Sequence, residues 1–315
     1  MTIDQKPLFR IELVVFIGLV LLYSLSTYQR NFVWRDDLTL WNDCAKKSPA
    51  KFRPHNNLGI AYLKEKDYEK AMAEFTETLR LNPRAEKAYL NIGQIYEERG
   101  HIKEAIEEYQ KALKINPDSV GVLHFLGNIY EKQGLLDMAL FHYKKAYGID
   151  PDNPKLLISL GSIFQKKGFI MEALNQYTMA LSINPDLPEA YYNIGLVHDE
   201  RGLLNKALYY YQQALKLKPD YPQALSNLGI IYGRTGRIEE AIGLLKNALN
   251  IKPDDTITLI NLGVAYEELA KSYEQRAEGK VLIAKSIATY QKVLEIDPDN
   301  IRARERMTKL RAMSE

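Results

Sequence analysis

Apolar and small residues recur along this chain at helical spacing and within a fixed frame of 34 residues. In the first complete copy of the frame these positions are Leu58, Gly59, Tyr62, Ala71, Phe75 and Thr78. Residues three, four and seven positions apart share one face of an α-helix. Pro83 follows the second group, and proline ends a helix because it cannot donate the backbone hydrogen bond. The frame therefore predicts two amphipathic helices, A and B, joined by a short turn.

The glycine of this frame, called the frame glycine, returns every 34 residues. Its copies are Gly59, Gly93, Gly127, Gly161, Gly195, Gly229 and Gly263. A single helical hairpin cannot bury its apolar side alone, whereas stacked hairpins can. The period, with Leu-Gly, an aromatic residue three positions later and then Ala, aromatic, Ala and Pro, resembles the tetratricopeptide repeat. This resemblance implies an all-α fold, a right-handed superhelix (α-solenoid) of stacked hairpins.

Four regions are predicted from these patterns. Residues 1–35 are an anchor helix with its interface, residues 36–51 a half-repeat helix, residues 52–300 seven repeats and residues 301–315 a capping helix. The predicted repeats are 52–85, 86–119, 120–153, 154–187, 188–221, 222–255 and 256–300. Most repeats have glycine at the turn between the helices, where a left-handed residue costs least, and the first has Lys66 there. Asp36 or Asp37 is expected to cap the half-repeat helix.

The seventh repeat is longer than the others. Its frame glycine and the small residue of its helix B, Ser286, lie 23 positions apart, where the other repeats have 12. The insertion, from Glu267 to Val281, is rich in Ala, Glu and Lys, which favour helix. We predict an extended helix A with a turn near Gly279, the strongest helix breaker in the insertion.

The N-terminal region is apolar and precedes the repeats. Residues 13–28 carry no charge, and sixteen helical residues span about 24 Å of a roughly 30 Å hydrocarbon core. Extending the helix back to Leu8 gives about 31 Å. This predicts one N-terminal transmembrane helix in a single-pass membrane protein, with a cleaved signal peptide and a buried helix as alternatives. The two ends of this helix carry nearly equal positive charge. The slight excess at the N-terminal end favours a cytoplasmic N-terminus and therefore an extracytoplasmic repeat region.

Composition excludes several classes of function. The net charge is +2 with both signs interspersed, which disfavours nucleic acid as a partner. The single cysteine, Cys44, rules out an internal disulfide framework and is interpreted as a packing residue. The five histidines are scattered, and His198 takes an aromatic core position, so no metal site is predicted. No catalytic motif is present, so we predict neither an enzyme nor a cofactor.

One position of helix A, two residues before each frame glycine, is rich in asparagine. In chain order it is occupied by Asn57, Asn91, Phe125, Ser159, Asn193, Asn227 and Asn261. An amide offers both a donor and an acceptor, so a row of amides can bind the backbone of an extended peptide. The alternative is that asparagine only suits packing. The row resembles the asparagine ladder of O-GlcNAc transferase, which implies a concave groove that binds a protein or peptide through Asn57, Asn91, Asn193, Asn227 and Asn261.

Charged residues cluster near the end of helix A. The acidic ones are Glu97, Glu98, Glu131, Asp199, Glu200, Glu267 and Glu268. Because basic residues are interleaved with them, we interpret this rim as a solvated face.

The junction between anchor and repeats carries a further motif. It reads Arg30-Asn31-x-x-Trp34-Arg35-Asp36-Asp37-x-x-x-Leu40-Trp41. The motif is similar to the boundary in transmembrane-and-tetratricopeptide glycosyltransferases, whose last membrane helix leads into repeats. The resemblance implies an alternative function as a detached C-terminal portion or subunit of a membrane glycosyltransferase, which would then be its partner. The catalytic membrane domain of that family is absent from this sequence, so none of its catalytic positions can be assigned.

Overall fold

The computed structural model describes residues 6–273 and 276–314, which form seventeen α-helices and no strand. The helices are α1 Lys6–Val33, α2 Asp37–Lys47, α3 Phe52–Lys64, α4 Tyr68–Leu81, α5 Glu86–Glu98, α6 Ile102–Ile115, α7 Val120–Lys132, α8 Leu136–Ile149, α9 Pro154–Lys166, α10 Ile170–Ile183, α11 Pro188–Glu200, α12 Leu204–Leu217, α13 Pro222–Arg234, α14 Ile238–Ile251, α15 Thr256–Ser272, α16 Ala277–Ile296 and α17 Ile301–Ser314. Residues 1–5 of the predicted anchor, residues 274–275 of the insertion and residue 315 of the predicted cap lie outside the described residues.

The chain divides into two compact units, Met1–Ile129 and Tyr130–Glu315, with the boundary inside α7. In the first unit α3 pairs with α4 and α5 with α6. In the second unit the pairs are α9 with α10, α11 with α12, α13 with α14, and α15 with α16. Helix B also packs on the helix A that follows it in the pairs α4 with α5, α8 with α9, α10 with α11, α12 with α13 and α14 with α15. The predicted all-helical, solenoid-like arrangement is confirmed within each unit, and the right-handed superhelix stays a prediction.

The frame glycine lies directly against the large side chain of helix B in its own hairpin. A Cβ atom placed on Gly161 would lie 2.5 Å from Cε1 of Tyr177, a distance that real Cβ atoms essentially never show. The contact is looser at Gly229, where Leu245 replaces the tyrosine and its Cγ would lie at 3.0 Å. Glycine at this position is therefore required by the close approach of the two helices.

The turn from helix A to helix B contains one residue in the left-handed region. Glycine takes this place with φ between 71° and 83° at Gly100, Gly134, Gly168, Gly202 and Gly236. In the first hairpin Lys66 adopts it with φ 59°. This confirms the sequence-based placement of the turn, at a conformational cost of about 1–2 kcal/mol for the lysine.

The predicted N-cap of α2 is confirmed, and α17 has a similar cap. The carboxylate of Asp36 accepts a hydrogen bond of 2.8 Å from the backbone N–H of Thr39, so Asp36 rather than Asp37 is the N-cap of α2. At α17 the side-chain oxygen of Asn300 accepts a hydrogen bond of 3.1 Å from the backbone N–H of Ala303. Both contacts satisfy backbone donors that have no partner in the first turn of a helix.

The insertion in the seventh hairpin lengthens both helices rather than one. Helices α15 and α16 have 17 and 20 residues, whereas α13 and α14 have 13 and 14. Gly279 lies buried in the first turn of α16, so the predicted turn near it is wrong. The break lies between Ser272 and Ala277, where Arg276 is the N-cap with ψ 159°. Because Gly279 is only the third residue of α16, its weak helix propensity acts at a helix end and does not break the helix.

Helix α1 exposes apolar side chains on all sides. Those from Leu13 to Val15 are each at least 47% exposed, and those from Leu19 to Leu22 at least 46%. Across residues 6–273 and 276–314, no helix is both long enough and apolar enough to cross a membrane. The predicted transmembrane span is therefore not supported.

Candidate functional site

Each helix A in the second unit leaves one face partly open. This face is formed by four positions of helix A. Two lie six and two residues before the frame glycine, and two lie one and five residues after it. Their spacings of four, three and four residues place them on one side of a helix. We call this the open face of α11, α13 and α15. It comprises Glu189, Asn193, Leu196 and Glu200, then Gln223, Asn227, Ile230 and Arg234, then Ile257, Asn261, Val264 and Glu268. In each helix the two central residues are half-buried and the two outer ones are exposed.

The asparagines of the open face differ in how their amides are held. The Nδ2 group of Asn227 donates to the hydroxyls of Tyr192 at 3.3 Å and Tyr211 at 3.2 Å, which uses both of its protons. The Nδ2 group of Asn261 donates to the carbonyl oxygen of Ile257 at 2.9 Å. Asn193 is half-buried on α11. Asn227 can therefore offer a ligand only its carbonyl oxygen, whereas Asn261 can offer its carbonyl oxygen and its second N–H.

The same helix position in other hairpins packs on the helix-B tyrosine sixteen residues earlier. Phe125 stacks on Tyr109, with ring centroids 5.7 Å apart and an interplanar angle of 16°. Ser159 is hydrogen bonded to Tyr143. Together with the Asn227 contact to Tyr211, these pairs indicate that the position has a packing role between hairpins. Packing was the alternative interpretation of this position in the sequence, and these contacts give that alternative its partners.

The two predicted site residues of the first unit differ in exposure. Asn91 is buried on α5, with 8% of its surface exposed, so it offers little area to a ligand. Asn57 is half-buried on α3 and accepts a long hydrogen bond of 3.4 Å from Nδ2 of Asn56. Their roles in binding stay predictions.

Part of the acidic rim is a structural network, whereas Glu98, Glu200 and Glu268 are exposed as a solvated face would be. Glu131 is 16% exposed at its side chain and accepts hydrogen bonds from the Tyr143 hydroxyl at 2.9 Å, the Ser162 hydroxyl at 2.7 Å and the Lys166 ammonium at 2.8 Å. Burial works against the ionised form, but the three hydrogen bonds prevail and lower the pKa of Glu131. Burial, with Glu131 adding to it, raises the pKa of Tyr143, whose hydroxyl therefore stays a donor.

Equivalent ion pairs join other hairpins of the second unit. Asp199 accepts from Arg234 at 3.0 Å, with a sequence separation of 35 that matches the pair of Glu131 and Lys166. Glu267 accepts from Arg306 at 3.0 Å and also from the hydroxyl of Tyr290. The interpretation of these carboxylates as solvated was wrong because their partners lie in the next hairpin or on α17, far away in sequence.

The predicted packing role of His198 is confirmed. Its ring is 8% exposed and stacks on Tyr210 at 5.4 Å between centroids. Burial lowers the pKa of His198, and the nearby charges of Lys206 and Arg201 act in the same direction. In the described part of the chain, no group of three or more His, Cys, Asp or Glu side chains is arranged to hold a metal ion.

Comparison with protein families gives one consistent result. A family described as "TPR repeat" matches residues 95–134, 127–168, 170–202 and 199–236. Families described as "Tetratricopeptide repeat" match residues 52–85 and 224–257. Together these ranges cover more than half of the chain. No curated protein matches it.

Several solved structures share the fold. A chain of the APC/C hetero-tetramer Cut9-Hcn1 aligns with 87% of this chain at 17% identity and a TM-score of 0.70, and this chain spans about half, 52%, of its length. The Pseudomonas aeruginosa pilF structure aligns over 72% of this chain and 98% of its own, at 20% identity and a TM-score of 0.60. The structure of a tetratricopeptide repeat protein from Parabacteroides merdae aligns over 82% of this chain and 98% of its own, at 15% identity and a TM-score of 0.61. At these identities the likeness shows the fold alone.

Proposed function

This chain belongs to the tetratricopeptide repeat family, and we propose that it is a scaffold that binds an extended protein segment on the open face of its second unit. The observation that carries the proposal is the identical placement of three asparagines. Asn193, Asn227 and Asn261 lie on consecutive A helices at the same place relative to the frame glycine, and each is half-buried. Amides in register can hydrogen bond to a peptide backbone without reading its side chains.

The role of a scaffold agrees with the rest of the molecule. No catalytic family is identified, and helical hairpin repeats are a protein-interaction fold. Tyr211, which accepts a hydrogen bond from the amide of Asn227, is fully buried, so this amide is held by a fixed partner. Asn227 has a second, structural role, since it links Tyr192 to Tyr211. A binding test should therefore leave Asn227 in place.

Replacing Asn193 and Asn261 together with alanine is expected to weaken binding of an extended segment. A neutral hydrogen bond contributes about 0.5–1.5 kcal/mol, so two of them correspond to roughly 5- to 150-fold in affinity. Binding segments would be selected from a displayed peptide library on the full chain. Their dissociation constants would then be measured by fluorescence anisotropy for the wild type and the double variant.

The matched control removes two exposed amides from B helices of the same unit. Asn175 lies on α10 and Asn247 on α14, and both are exposed. The Asn175→Ala/Asn247→Ala variant should bind within about twofold of the wild type, because surface substitutions without a partner have small effects. Equal affinity of both double variants and the wild type would mean that the asparagines serve packing alone.

Helix α1 supports a second part of the proposal, attachment to a membrane. Helices that are apolar on all sides are surrounded by a protein core or by lipid. The exposed apolar side chains of α1 occupy consecutive positions, including Phe16 and Ile17, so no face of the helix is polar there. We propose that lipid covers this surface. The single-pass arrangement with extracytoplasmic repeats stays a prediction from the sequence.

Flotation with phospholipid vesicles tests this attachment. The full chain is expected to rise with the vesicles in a density gradient, and the Phe16→Asp/Leu21→Asp variant is expected to stay at the bottom. Charged residues at the centre of an apolar helix cost about 2.5–3.5 kcal/mol each on insertion scales. The control is Met171→Asp/Tyr209→Asp, which places the same charges at exposed positions of α10 and α12. Equal flotation of all three proteins would argue against attachment through α1.

The junction motif supports an alternative role beside a membrane glycosyltransferase in protein O-glycosylation. The guanidinium of Arg30 lies 5.6 Å from the centre of the Trp34 ring, and Asp36 caps α2, so residues of the motif have defined contacts. In this alternative the repeats present client proteins to a separate catalytic domain. A neighbouring upstream reading frame that encodes many apolar spans would favour it over the scaffold acting alone.

A further inference from the structure

His55 lies on α3, four residues before the frame glycine of the first repeat. The equivalent residues of the other repeats are leucines or tyrosines, namely Tyr89, Leu123, Leu157, Tyr191, Leu225 and Leu259. The four leucines are buried. The side chain of His55 is 13% exposed. The first repeat therefore has a ring that can titrate near neutral pH where the other repeats pack an apolar or aromatic side chain.

Both nitrogens of the His55 ring lie against hydrogen-bond acceptors. Nδ1 is 2.7 Å from Oε2 of Glu74 on α4, and Nε2 is 3.1 Å from the carbonyl oxygen of Pro49, in the linker between α2 and α3. A carbonyl and a carboxylate only accept, and a neutral imidazole has a single N–H to donate. In the neutral ring one nitrogen would turn its lone pair towards an oxygen. The geometry is satisfied at both nitrogens only when the ring is charged.

The carboxylates around the ring belong to α4 and favour a positive charge on it. Besides Glu74, Glu77 is close enough for the charge of His55 to act on it, although Glu77 is already bonded to Arg80 at 2.7 Å. The charged side chains of α2, of the linker and next to His55 on α3 are exposed or paired: Lys46, Lys51 and Arg53 are exposed, Asp43 pairs with Lys47, and Asp37 pairs with Lys64. Glu74 is therefore the carboxylate that meets the ring directly.

Helix α2 has little else that holds it to the first hairpin. Of its 11 residues only Ala45 is buried, whereas α4 buries three, including Phe75. The ion pair of Lys64 with Asp37 also joins α3 to α2, but both side chains are exposed, and such pairs contribute little. A helix as short as α2 is not stable in water on its own. The contact of His55 with the linker is thus a large part of what keeps α2 docked and folded.

We infer that His55 is a pH-sensitive latch, which holds α2 on the first hairpin while the imidazole ring is charged. Histidine ordinarily changes its charge between about pH 5 and 8. In acid the ring donates to Glu74 and to Pro49 at once, and α2 is docked. When the ring loses a proton, the remaining N–H stays with the Glu74 carboxylate, the lone pair of Nε2 faces the Pro49 carbonyl, and α2 is released. Because α2 follows α1 in the chain, the latch sets how firmly the first repeats are joined to α1, which goes beyond the proposed function.

Hydrogen exchange of the full chain, followed by mass spectrometry, tests the latch. The protection of the α2 amides, corrected for the intrinsic exchange rate, is compared at about pH 5 and about pH 8, the ends of the range in which histidine titrates. A hydrogen bond to a charged group changes an equilibrium by roughly 10- to 150-fold, so protection of α2 is expected to be at least about tenfold higher in acid. The amides of α5 in the same unit are the internal reference and should be protected equally at both pH values.

Two variants should remove this pH dependence in different ways. His55→Leu introduces the residue found at this position in four other repeats, so α2 should be protected equally at both pH values. In Glu74→Gln the side-chain amide can donate to Nδ1, which leaves the Nε2–H of the neutral ring for Pro49, so α2 should stay protected at the alkaline end. His101→Gln is the control, because this exposed histidine lies 3.8 Å from Glu104 on its own hairpin, and the variant should keep the wild-type behaviour of α2.

Equal protection of α2 at both pH values in the wild type would overturn the latch. A pH dependence of α2 that persists in both His55→Leu and Glu74→Gln would also overturn it. If His55→Leu fails to fold, Glu74→Gln still decides the matter, because its expected result is protection retained at the alkaline end rather than a loss.

Discussion

Replacing Gly195 with alanine is expected to lower the free energy of unfolding by about 1–3 kcal/mol, the usual cost of overpacking a core. A Cβ atom at this position would lie 2.7 Å from Cδ1 of Tyr211 and 3.4 Å from Cβ of Tyr210. Because the Tyr211 ring is fully buried, it has no free space to move into. The loss should be concentrated in the neighbouring hairpins, since repeats interact mainly with their neighbours. Urea unfolding followed by circular dichroism measures the change.

Gly243 provides a matched control in the same unit. It lies in α14, is exposed, and a Cβ atom there would meet nothing within 4 Å. Gly243→Ala should therefore stabilise the protein by about 0.5–1 kcal/mol through helix propensity. Adding Tyr211→Leu to Gly195→Ala should recover part of the loss, because leucine leaves more room for a Cβ atom. At Gly229, which faces Leu245, a Cβ atom would lie 3.0 Å from the nearest side-chain atom, compared with 2.7 Å at Gly195. Equal effects of the two alanine variants would contradict the close-packing explanation.

Replacing Glu131 with alanine is expected to destabilise the second unit by about 2–3 kcal/mol. The substitution removes the acceptor for Tyr143, Ser162 and Lys166. An unsatisfied buried donor costs about 1–3 kcal/mol, whereas Lys166 is half exposed and can be hydrated again. Glu268→Ala is the control, because its carboxylate makes an exposed ion pair with Lys271 that contributes at most about 0.5 kcal/mol.

The same carboxylate predicts a dependence on pH. The pKa of Glu131 in the folded chain is below its unfolded value, which is about 4.3. Its stabilising contribution is therefore complete above the unfolded pKa and is lost as the pH falls through the folded pKa. The difference in melting temperature between the wild type and Glu131→Gln should shrink as the pH is lowered below about 4. A constant difference down to pH 2 would show that the charge of Glu131 has no part in the network.

Local features of the fold could be predicted from the sequence because they depend on short spacings. The period of 34 residues predicted where each hairpin begins and ends. Pro83 and Asp36 marked helix ends through their own chemistry, and the turn position of Lys66 was predicted from the glycines of the other repeats. The place of the frame glycine, for example Gly161, also followed from the pattern, because glycine recurs there in every repeat. These are features in which one residue and its near neighbours decide the outcome.

Contacts between hairpins could not be predicted in the same way. Glu131 looks like a surface residue until Lys166, 35 positions later, is placed beside it. Asn227 looks like a free ligand group until its amide is seen between two tyrosines. For both residues the deciding partner lies in another hairpin. The turn near Gly279 was misplaced for a different reason, because this glycine is the third residue of α16, where weak helix propensity does not break a helix.

The central claim is that the open face of α11, α13 and α15 holds an extended segment of a partner. Its most direct test is photo-crosslinking of the full chain in the cells that produce it, with benzoylphenylalanine at Ile230 in one variant and at Tyr209 in another. Ile230 lies on the open face, and Tyr209 is exposed on α12, a helix B. The account predicts crosslinked partner peptides at Ile230, identified by mass spectrometry, and none at Tyr209. Crosslinking at Tyr209 alone would contradict it.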